Sequence, residues 1–391
     1  MSRLQEFKNE FSSREGIHFN SAGRTPLPRT AAERLVKFVT DGQLHASLRD
    51  QDLFEMLVRA RKNLARFLDA DVESVAFVPN VATALSQAAL GFPLKVGDEV
   101  VVLDQEYASN FYPWSEACSR AGAKLKVISS GESGSVEFAS GDQLSEKVMA
   151  AIQPGVKIVA VSWVQFQTGA VLDLKKIGDR AHAVGAYLVV DGIQGLGQLP
   201  FSFHDLPVDF VAGGAHKWMC GMVGQGFLAA KKDFMSLLVP TVVGCGTFNR
   251  FGSFADQSAP MENSARKFEP GAFSFSALLA LDSAIEVLMA PGMEVIAEEI
   301  ARLSQIFRRG LIELGEGVSP GFKMVSPLNQ PSGITSFVLP KELEEKFIKT
   351  CKDSSVALIK RGDFIRVSIH AFNSEEEVDR VLDLLRLNQI S

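Results

Sequence analysis

Six short apolar runs lie between residues 74 and 230, and longer amphipathic segments separate them. The runs are SVAFV (74–78), EVVVL (99–103), KLKVI (124–128), VKIVAVSW (156–163), AYLVV (186–190) and DFVAG (209–213). Several are apolar on both faces, as expected for strands of a parallel sheet covered by helices on both sides. The alternation predicts an α/β fold around a mostly parallel sheet, in which ligands bind beyond the carboxyl ends of the strands. A further run, GFLAA (226–230), is a candidate antiparallel strand.

The chain of 391 residues is longer than one hydrophobic core usually supports, so we expect two domains. After about residue 275 the pattern changes to a long helical region, interrupted at Pro291-Gly292. Three strand candidates follow, with a helix after the first and a closing helix at 374–387: SGITSFVL (332–339), VALIK (356–360) and FIRVSI (364–369). We assign residues 1–16 to an N-terminal segment, residues 17–275 to a large domain and residues 276–391 to a smaller C-terminal α+β domain.

The composition argues against several partners. The formal net charge of -6 is not typical of a general nucleic-acid binder. The amino terminus is polar and no apolar run is long enough to span a bilayer, so we expect a cytoplasmic protein with no membrane partner. Four cysteines without CxxC spacing and six scattered histidines predict no metal site.

Two opposite charges follow neighbouring strands of the predicted sheet. Asp191 directly follows AYLVV, and Lys217 lies a few residues after DFVAG. Both side chains are therefore expected at the edge of the sheet where ligands bind. A structural ion pair is the alternative interpretation of an aspartate and a lysine at such positions.

A candidate anion site lies where the first strand turns into a helix. In VAFVPNVATALSQAAL, the turn covers residues 80–83 and includes Ala82 and Thr83. Free backbone N–H groups at a helix start, with the Thr83 hydroxyl, form a site for a phosphate. Helix capping alone also explains these residue types. One chemistry uses all three features, because pyridoxal phosphate needs a lysine, an acid for its ring nitrogen and a phosphate site.

The chain resembles the class V aminotransferase group of pyridoxal-phosphate enzymes, which includes cysteine desulfurases, kynureninase and isopenicillin N epimerase-like proteins. The motifs that carry the resemblance extend over nearly the whole chain and are IHFNSAGRTPLP (17–28), DQEYASNFYPW (104–114), VVDGIQGLGQLP (189–200), DFVAGGAHKW (209–218), GQGFLAA (224–230), FEPGA (268–272) and FIRVSIHAFNSEEEVDRVL (364–382). The resemblance implies a large domain around a mostly parallel seven-stranded sheet, a smaller C-terminal α+β domain, and pyridoxal 5'-phosphate as cofactor.

The resemblance also implies roles for individual residues around the cofactor. Lys217 would hold it as a Schiff base and then act as the catalytic base at Cα, while Asp191 would pair with the ring nitrogen. Gln194 would donate to the ring oxygen. His216 would lie beside the phosphate, and Ala82 and Thr83 would bind that phosphate.

Four further residues complete the implied site. Tyr107 would stack on the cofactor ring. Arg366 would hold the substrate α-carboxylate through both oxygens, and Asn20 would help to position the substrate. Gln165 would contact the cofactor oxygen or the substrate.

The sequence departs from this group in two places. Desulfurases carry a cysteine on a mobile loop of the small domain, but only GDFI separates Arg361 from Arg366 here, so we expect that a persulfide-forming desulfurase is disfavoured. Gly214, Ala215 and Ala272 stand where relatives have phosphate-binding hydroxyls. The FEPGA segment is expected to reach across a homodimer with shared active sites.

We therefore expect an enzyme that acts at Cα of an amino acid or amine, most simply a transaminase. The alternatives are a lyase that breaks a C–S or C–C bond of a cysteine-like or kynurenine-like substrate, an epimerase, or a binding protein that has kept the fold and lost turnover. A dinucleotide oxidoreductase is not indicated, because no GxGxxG follows the first strand of the sheet.

Overall fold

A computed structural model describes residues 2–131, 139–249, 258–316 and 321–390. The strands in these ranges are β1 Ile17–His18, β2 Val75–Val78, β3 Glu99–Leu103, β4 Lys124–Ile128, β5 Val156–Ser162, β6 Tyr187–Asp191, β7 Phe210–Gly214, β8 Gly226–Ala230, β9 Lys323–Met324, β10 Ile334–Val338, β11 Val356–Ala357, β12 Ile359–Arg361 and β13 Phe364–Ser368. The α-helices are α1 Arg3–Asn9, α2 Arg29–Lys37, α3 Asp50–Leu68, α4 Val81–Gly91, α5 Ala108–Ala121, α6 Gly141–Ala151, α7 Leu174–Ala183, α8 Lys232–Leu237, α9 Phe275–Met289, α10 Met293–Glu316, α11 Lys341–Asp353 and α12 Glu375–Ile390.

Seven strands form the central sheet in the order β2-β8-β7-β6-β5-β3-β4. Strand β8 pairs antiparallel with both β2 and β7, and the other pairs are parallel. Strands β7 and β8 are buried along their whole length, and β5 is buried except at Lys157, which explains why these strands are apolar on both faces. The predicted α/β class, the mostly parallel sheet and the antiparallel GFLAA strand are confirmed.

The carboxyl ends of β5 and β6 lie side by side, because Ser162 is the register partner of Asp191. One strand further, β7 runs parallel to β6 and places Ala212 opposite Asp191. The segment after β7 therefore starts beside Asp191 and leads directly to Lys217. The sheet itself brings the aspartate and the lysine to one edge.

The C-terminal part contains a four-stranded antiparallel sheet in the order β12-β13-β10-β9. The apolar run VALIK, read as one strand at 356–360, forms two shorter ones. Strand β11 pairs with β1 near the amino terminus, whereas β12 pairs with β13. One continuous strand was the wrong interpretation, because the two halves have different partners.

The long helical region after residue 275 is divided into α9 and α10 near Pro291-Gly292, as predicted. Helix α9 packs against α2 and α3, and its apolar side chains belong to the same core as the central sheet. Within the described ranges no single helix is long and apolar enough to cross a membrane. Helix α9 and residues 293–315 together have the length and composition of a span, but the two helices are bent by 80° relative to each other. The proposed domain boundary at residue 275 stays a prediction.

Candidate active site

A cavity of about 250 Å³ opens at the carboxyl edge of the central sheet. It is lined by Ala22, Gly23, Asn80, Val81, Ala82, Tyr107, Ser109, Phe166, Asp191, Ile193, Gln194, His216, Lys217, Arg361 and Arg366. The lining therefore contains most of the residues that the sequence singles out. Asn20, Thr83 and Gln165 are not part of this lining.

Lys217 and Asp191 are the charged pair at the centre of the cavity. Burial lowers the pKa of Lys217 to about 8, and the nearby charges of Arg366 and Arg361 act in the same direction. The Asp191 carboxylate partly opposes this shift. Burial also raises the pKa of Asp191, while a hydrogen bond of 3.0 Å from the Ile193 N–H stabilises its charged form. Lys217 is therefore an amine with substantial neutral population near physiological pH.

Tyr107 forms an aromatic wall of the cavity. It precedes the first residue of α5, and its ring centre lies 5.7 Å from the Lys217 Nζ atom. The Phe166 ring meets Tyr107 edge to face, with ring centres 5.2 Å apart. A flat ligand beside Lys217 would therefore meet an aromatic ring.

Gln194 and His216 line the same cavity. The Gln194 side chain accepts a hydrogen bond of 2.8 Å from the Trp218 indole and donates one of 3.1 Å to the Ala22 carbonyl. An amide nitrogen has two N–H groups, so one of them is still free for a ligand. Burial and the charges of Lys217 and Arg24 lower the pKa of His216 to about 4, so this imidazole is neutral at physiological pH.

The start of α4 borders the cavity through Asn80, Val81 and Ala82. The Asn80 side chain caps the helix by accepting a hydrogen bond of 2.9 Å from the Thr83 N–H. The Thr83 hydroxyl lies 3.1 Å from the same Asn80 oxygen. The predicted capping role is thus present, and the first turn also offers backbone N–H groups and a positive helix end to an anion.

Arg366 lies on β13 and is fully buried. Its Nη1 donates to the Phe166 carbonyl at 2.8 Å, while its Nε and Nη2 have no acceptor in the described part of the chain. Two adjacent N–H groups of one guanidinium suit the two oxygens of a carboxylate. This edge of Arg366 is the best carboxylate site in the cavity.

Asn20 and Gln165 do not line the cavity. The Gln165 Nε2 is 3.3 Å from the Ser162 carbonyl, and its Oε1 is buried without a donor among the described residues. The Asn20 side-chain oxygen is also buried without a partner there. Their predicted ligand contacts stay predictions, although both have an unsatisfied oxygen.

Sequence reasoning assigned no role to Phe166, Ser109 or Arg361, all of which line the cavity. Phe166 lies in a connecting segment that carries no periodic signal, and Ser109 is the second residue of α5. Arg361 carried a signal that was overlooked: the short hairpin and the two-residue period of a strand put it on the same face as Arg366. Among the described residues no group of three or more His, Cys, Asp or Glu is arranged to hold a metal ion.

The residues of this cavity fit pyridoxal phosphate. In the described ranges the Lys217 amine forms no hydrogen bond, and Asp191 acts on it only through its charge. The amine is therefore free to react with an aldehyde in the cavity. Asp191 is a buried carboxylate that a ring N–H cation would satisfy. The start of α4 would hold the phosphate, and Tyr107 would offer an aromatic face to the ring.

Residues 17–381 match the aminotransferase class-V family, and the chain belongs to that family. It is an enzyme family that uses pyridoxal phosphate. A probable cysteine desulfurase of Methanothermobacter thermautotrophicus is 26% identical, covering 93% of this chain and 92% of the relative. An isopenicillin N epimerase of Amycolatopsis lactamdurans is 28% identical, covering 94% of each chain. The solved structure of a C-DES mutant with glycine covalently linked to its pyridoxal-phosphate cofactor has a TM-score of 0.86 at 21% identity, covering 97% of this chain and 98% of the other.

These comparisons correct the expected activity. The expectation of an aminotransferase-like enzyme, with a persulfide-forming cysteine desulfurase disfavoured, is wrong, because the relatives include several cysteine desulfurases. That expectation followed from the short GDFI segment between Arg361 and Arg366, which folds as a tight hairpin with Arg361 paired to Phe364. Breaking a C–S bond depends on the groups that line the cavity and not on the length of that turn.

Proposed function

We propose that this protein is a pyridoxal-phosphate-dependent lyase that breaks the carbon–sulfur bond of a cysteine-type amino acid. One observation supports the proposal most directly: a largely buried lysine lies beside a buried aspartate in the cavity. The Nε and Nη2 atoms of Arg366, which have no acceptor among the described residues, belong to the same lining. Full-length relatives that are described as cysteine desulfurases support the sulfur-containing substrate.

Lys217 is the group that holds the cofactor and moves the proton at Cα. A general base works best when its pKa is near the working pH, and a pKa of about 8 meets that requirement. The bound cofactor supplies an electron sink for the electron pair that remains at Cα. Proton removal at Cα then allows the sulfur on Cβ to leave.

Arg366 and Asp191 fix the geometry of this step. The Nε and Nη2 atoms of Arg366 bind the α-carboxylate, which orients the Cα proton. Asp191 keeps the ring nitrogen of the cofactor charged, because a buried carboxylate stabilises a cation beside it. Tyr107 would offer an aromatic face to the cofactor ring beside Lys217.

The experiment is to incubate the holoenzyme with L-cysteine or L-cystine and to measure the sulfur product together with pyruvate and ammonia. Sulfur that leaves with the bonding electron pair leaves an enamine that hydrolyses to pyruvate and ammonia. We therefore expect pyruvate in an amount equal to sulfide from cysteine, or to the persulfide of cysteine from cystine, and neither product with Lys217→Ala. Chiral chromatography of the remaining amino acid tests for epimerisation, the reaction named for the isopenicillin N epimerase relatives. A D-amino acid without release of sulfur would contradict the lyase proposal.

We also propose that the active protein is a homodimer. The segment before the FEPGA motif exposes Val239, Val242 and Val243, which are 64%, 52% and 60% exposed. Adjacent apolar side chains of this kind are typical of a surface that a second subunit covers. Light scattering after size-exclusion chromatography tests it: we expect twice the 42.5 kDa chain mass. A monomer that binds the cofactor with full activity would contradict the proposal.

A further inference from the structure

The hairpin β12–β13 presents two arginines on one face. Arg361 pairs with Phe364, and Arg366 pairs with Ile359, so the two arginines are diagonal neighbours across the strands. The turn between them consists of two residues, and its first residue, Gly362, has a φ of +57° that favours glycine. Both arginines line the cavity that contains Lys217.

Each of the two guanidinium groups has buried N–H donors without an acceptor. In Arg366 these are Nε and Nη2, and in Arg361 the atom is Nε. A buried donor left without a partner is costly, and such groups in native proteins are usually satisfied by protein, water or ligand. No carboxylate of the described chain forms an ion pair with Arg361. The missing acceptors are therefore expected to come from a ligand.

One α-carboxylate does not satisfy both arginines. Arg366 offers two adjacent N–H groups, which one carboxylate occupies fully. The central carbon of the Arg361 guanidinium lies 5.6 Å from the centre of the Phe166 ring. Its Nε has no acceptor in the described part of the chain and is available for a second anion.

The neighbourhood of Arg361 also favours an anion. The charge of Arg361 lowers the pKa of both Lys217 and Arg366, so three cationic groups influence one another in this cavity. A second cavity of about 450 Å³ shares Arg361, Tyr107 and Phe166 with the first. It is also lined by Glu106, and burial raises the pKa of that carboxyl group to about 7, which reduces its negative charge near neutral pH. A substrate side chain that extends past Arg361 therefore has space.

We propose that Arg361 is a second carboxylate-binding residue, and that the natural substrate is an amino acid whose side chain ends in a carboxylate. The proposal rests on the proposed function and names its substrate class: a cysteine-type amino acid with a carboxylate on the substituent attached to sulfur. Arg366 binds the α-carboxylate and Arg361 binds the distal one. Arg361 thus determines specificity, while Lys217 and Arg366 act on every substrate.

The test measures binding by the holoenzyme of unreactive acids, using calorimetry. Malonate, succinate, glutarate and adipate are each compared with the monocarboxylate of the same carbon number. We expect at least one dicarboxylate to bind at least ten times more tightly than its monocarboxylate partner. Because these acids contain no amine and no sulfur, the result is independent of whether C–S cleavage occurs, so failure of one proposal is distinguishable from failure of the other.

Three variants test whether Arg361 causes the preference for dicarboxylates. Arg361→Gln is expected to remove the preference for the dicarboxylate, Arg361→Lys to restore part of it, and Arg366→Gln to weaken both kinds of acid. Lys360→Gln is the matched control, because it removes the same charge from the neighbouring position, where Lys360 pairs with Glu344. The proposal is overturned if no dicarboxylate is preferred by the wild type, or if Arg361→Gln leaves the preference unchanged while its thermal denaturation shows a folded protein.

Discussion

Gly226 on β8 packs directly against the backbone of Asn80 at the start of α4. A Cβ atom added to Gly226 would lie 2.7 Å from the Asn80 Cα, a separation that real side chains do not adopt. The start of α4, the proposed phosphate site, is therefore positioned by a strand that has no side chain at the point of contact. This contact gives the first prediction.

Gly226→Ala is expected to weaken cofactor binding at least about tenfold, because displacement of the Asn80 turn removes one charged hydrogen bond to phosphate, roughly 1.5 kcal/mol or more. Overpacking by one methyl group is expected to destabilise the fold by about 1 to 3 kcal/mol. Fluorescence titration of the apoprotein with cofactor measures the first effect, and urea denaturation measures the second. Unchanged cofactor affinity in a destabilised protein would contradict the positioning role.

Capture of the cofactor is expected to depend on the neutral form of Lys217. Since its pKa is about 8, the rate of cofactor incorporation into apoprotein is expected to rise about tenfold per pH unit below 8 and to level off above it. Absorbance after mixing, from pH 6 to 10, measures this rate. A rate that still rises to about 10.5, the ordinary lysine pKa, would contradict it.

The same pKa predicts how the stability of the apoprotein changes with pH. Between pH 8 and 10.5 the unfolded chain holds a proton on Lys217 that the folded chain has lost. More protons on the unfolded state mean that the free energy of unfolding rises with pH across this window. Lys217→Met is expected to flatten this rise in the free energy of unfolding.

Borohydride reduction and peptide mapping of the holoenzyme provide a chemical control, since the label is expected on Lys217 and not on the buried Lys267.

Asp191→Asn is expected to lower kcat by about 100-fold, roughly 2.7 kcal/mol, because an amide does not keep the ring nitrogen charged. Asp209→Asn is the matched control. Asp209 is also buried beside β6, but it accepts hydrogen bonds from the Leu188 N–H at 2.7 Å and from His182 at 2.9 Å. Steady-state kinetics with L-cysteine or L-cystine measures kcat of both variants. Equal losses in the two variants would indicate a structural effect only.

The segment that carries FEPGA is held by a buried ion pair. Glu269 accepts two hydrogen bonds of 2.8 Å from Arg61 and one of 2.7 Å from the Phe77 N–H. Glu269→Gln leaves Arg61 uncompensated, so we expect a loss of about 3 to 5 kcal/mol in the free energy of unfolding. Urea denaturation measures it.

The exposed pair Lys175–Asp179 is the control for this ion pair, and Lys175→Ala is expected to change the free energy of unfolding by less than about 1 kcal/mol. If Glu269→Gln has an equally small effect, the buried pair does not stabilise the segment.

Much of the central sheet was predictable because its strands are buried on both faces and therefore read as apolar runs. Asp191 and Lys217 were predictable for the same reason: each follows such a run, and parallel strands end at one edge. The split of 356–360 into β11 and β12 was not predictable, because no glycine or proline interrupts the run and only the strand partners differ.

The walls of the cavity were harder to predict. The orientation of Phe166 depends on a loop whose carbonyl is held by Arg366, a contact across 200 residues of sequence. Gln194 was expected to face the cofactor, and it lines the cavity. The hydrogen bond that it accepts from the Trp218 indole was not predictable, because it depends on how two loops pack. Loop contacts of this kind arise from the tertiary structure and leave no periodic pattern in the sequence.

The pairing of β1 with β11 has a consequence for synthesis on the ribosome. Residues 17–18 are held by residues 356–357, and the Ala22 N–H donates to the Ser368 hydroxyl at 2.9 Å. Ala22 and Gly23 thus reach their places in the wall only after translation has passed residue 368. A nascent chain that has emerged up to Lys217 still lacks Arg361 and Arg366, so the coenzyme is expected to be captured only after residue 368 has emerged from the ribosome.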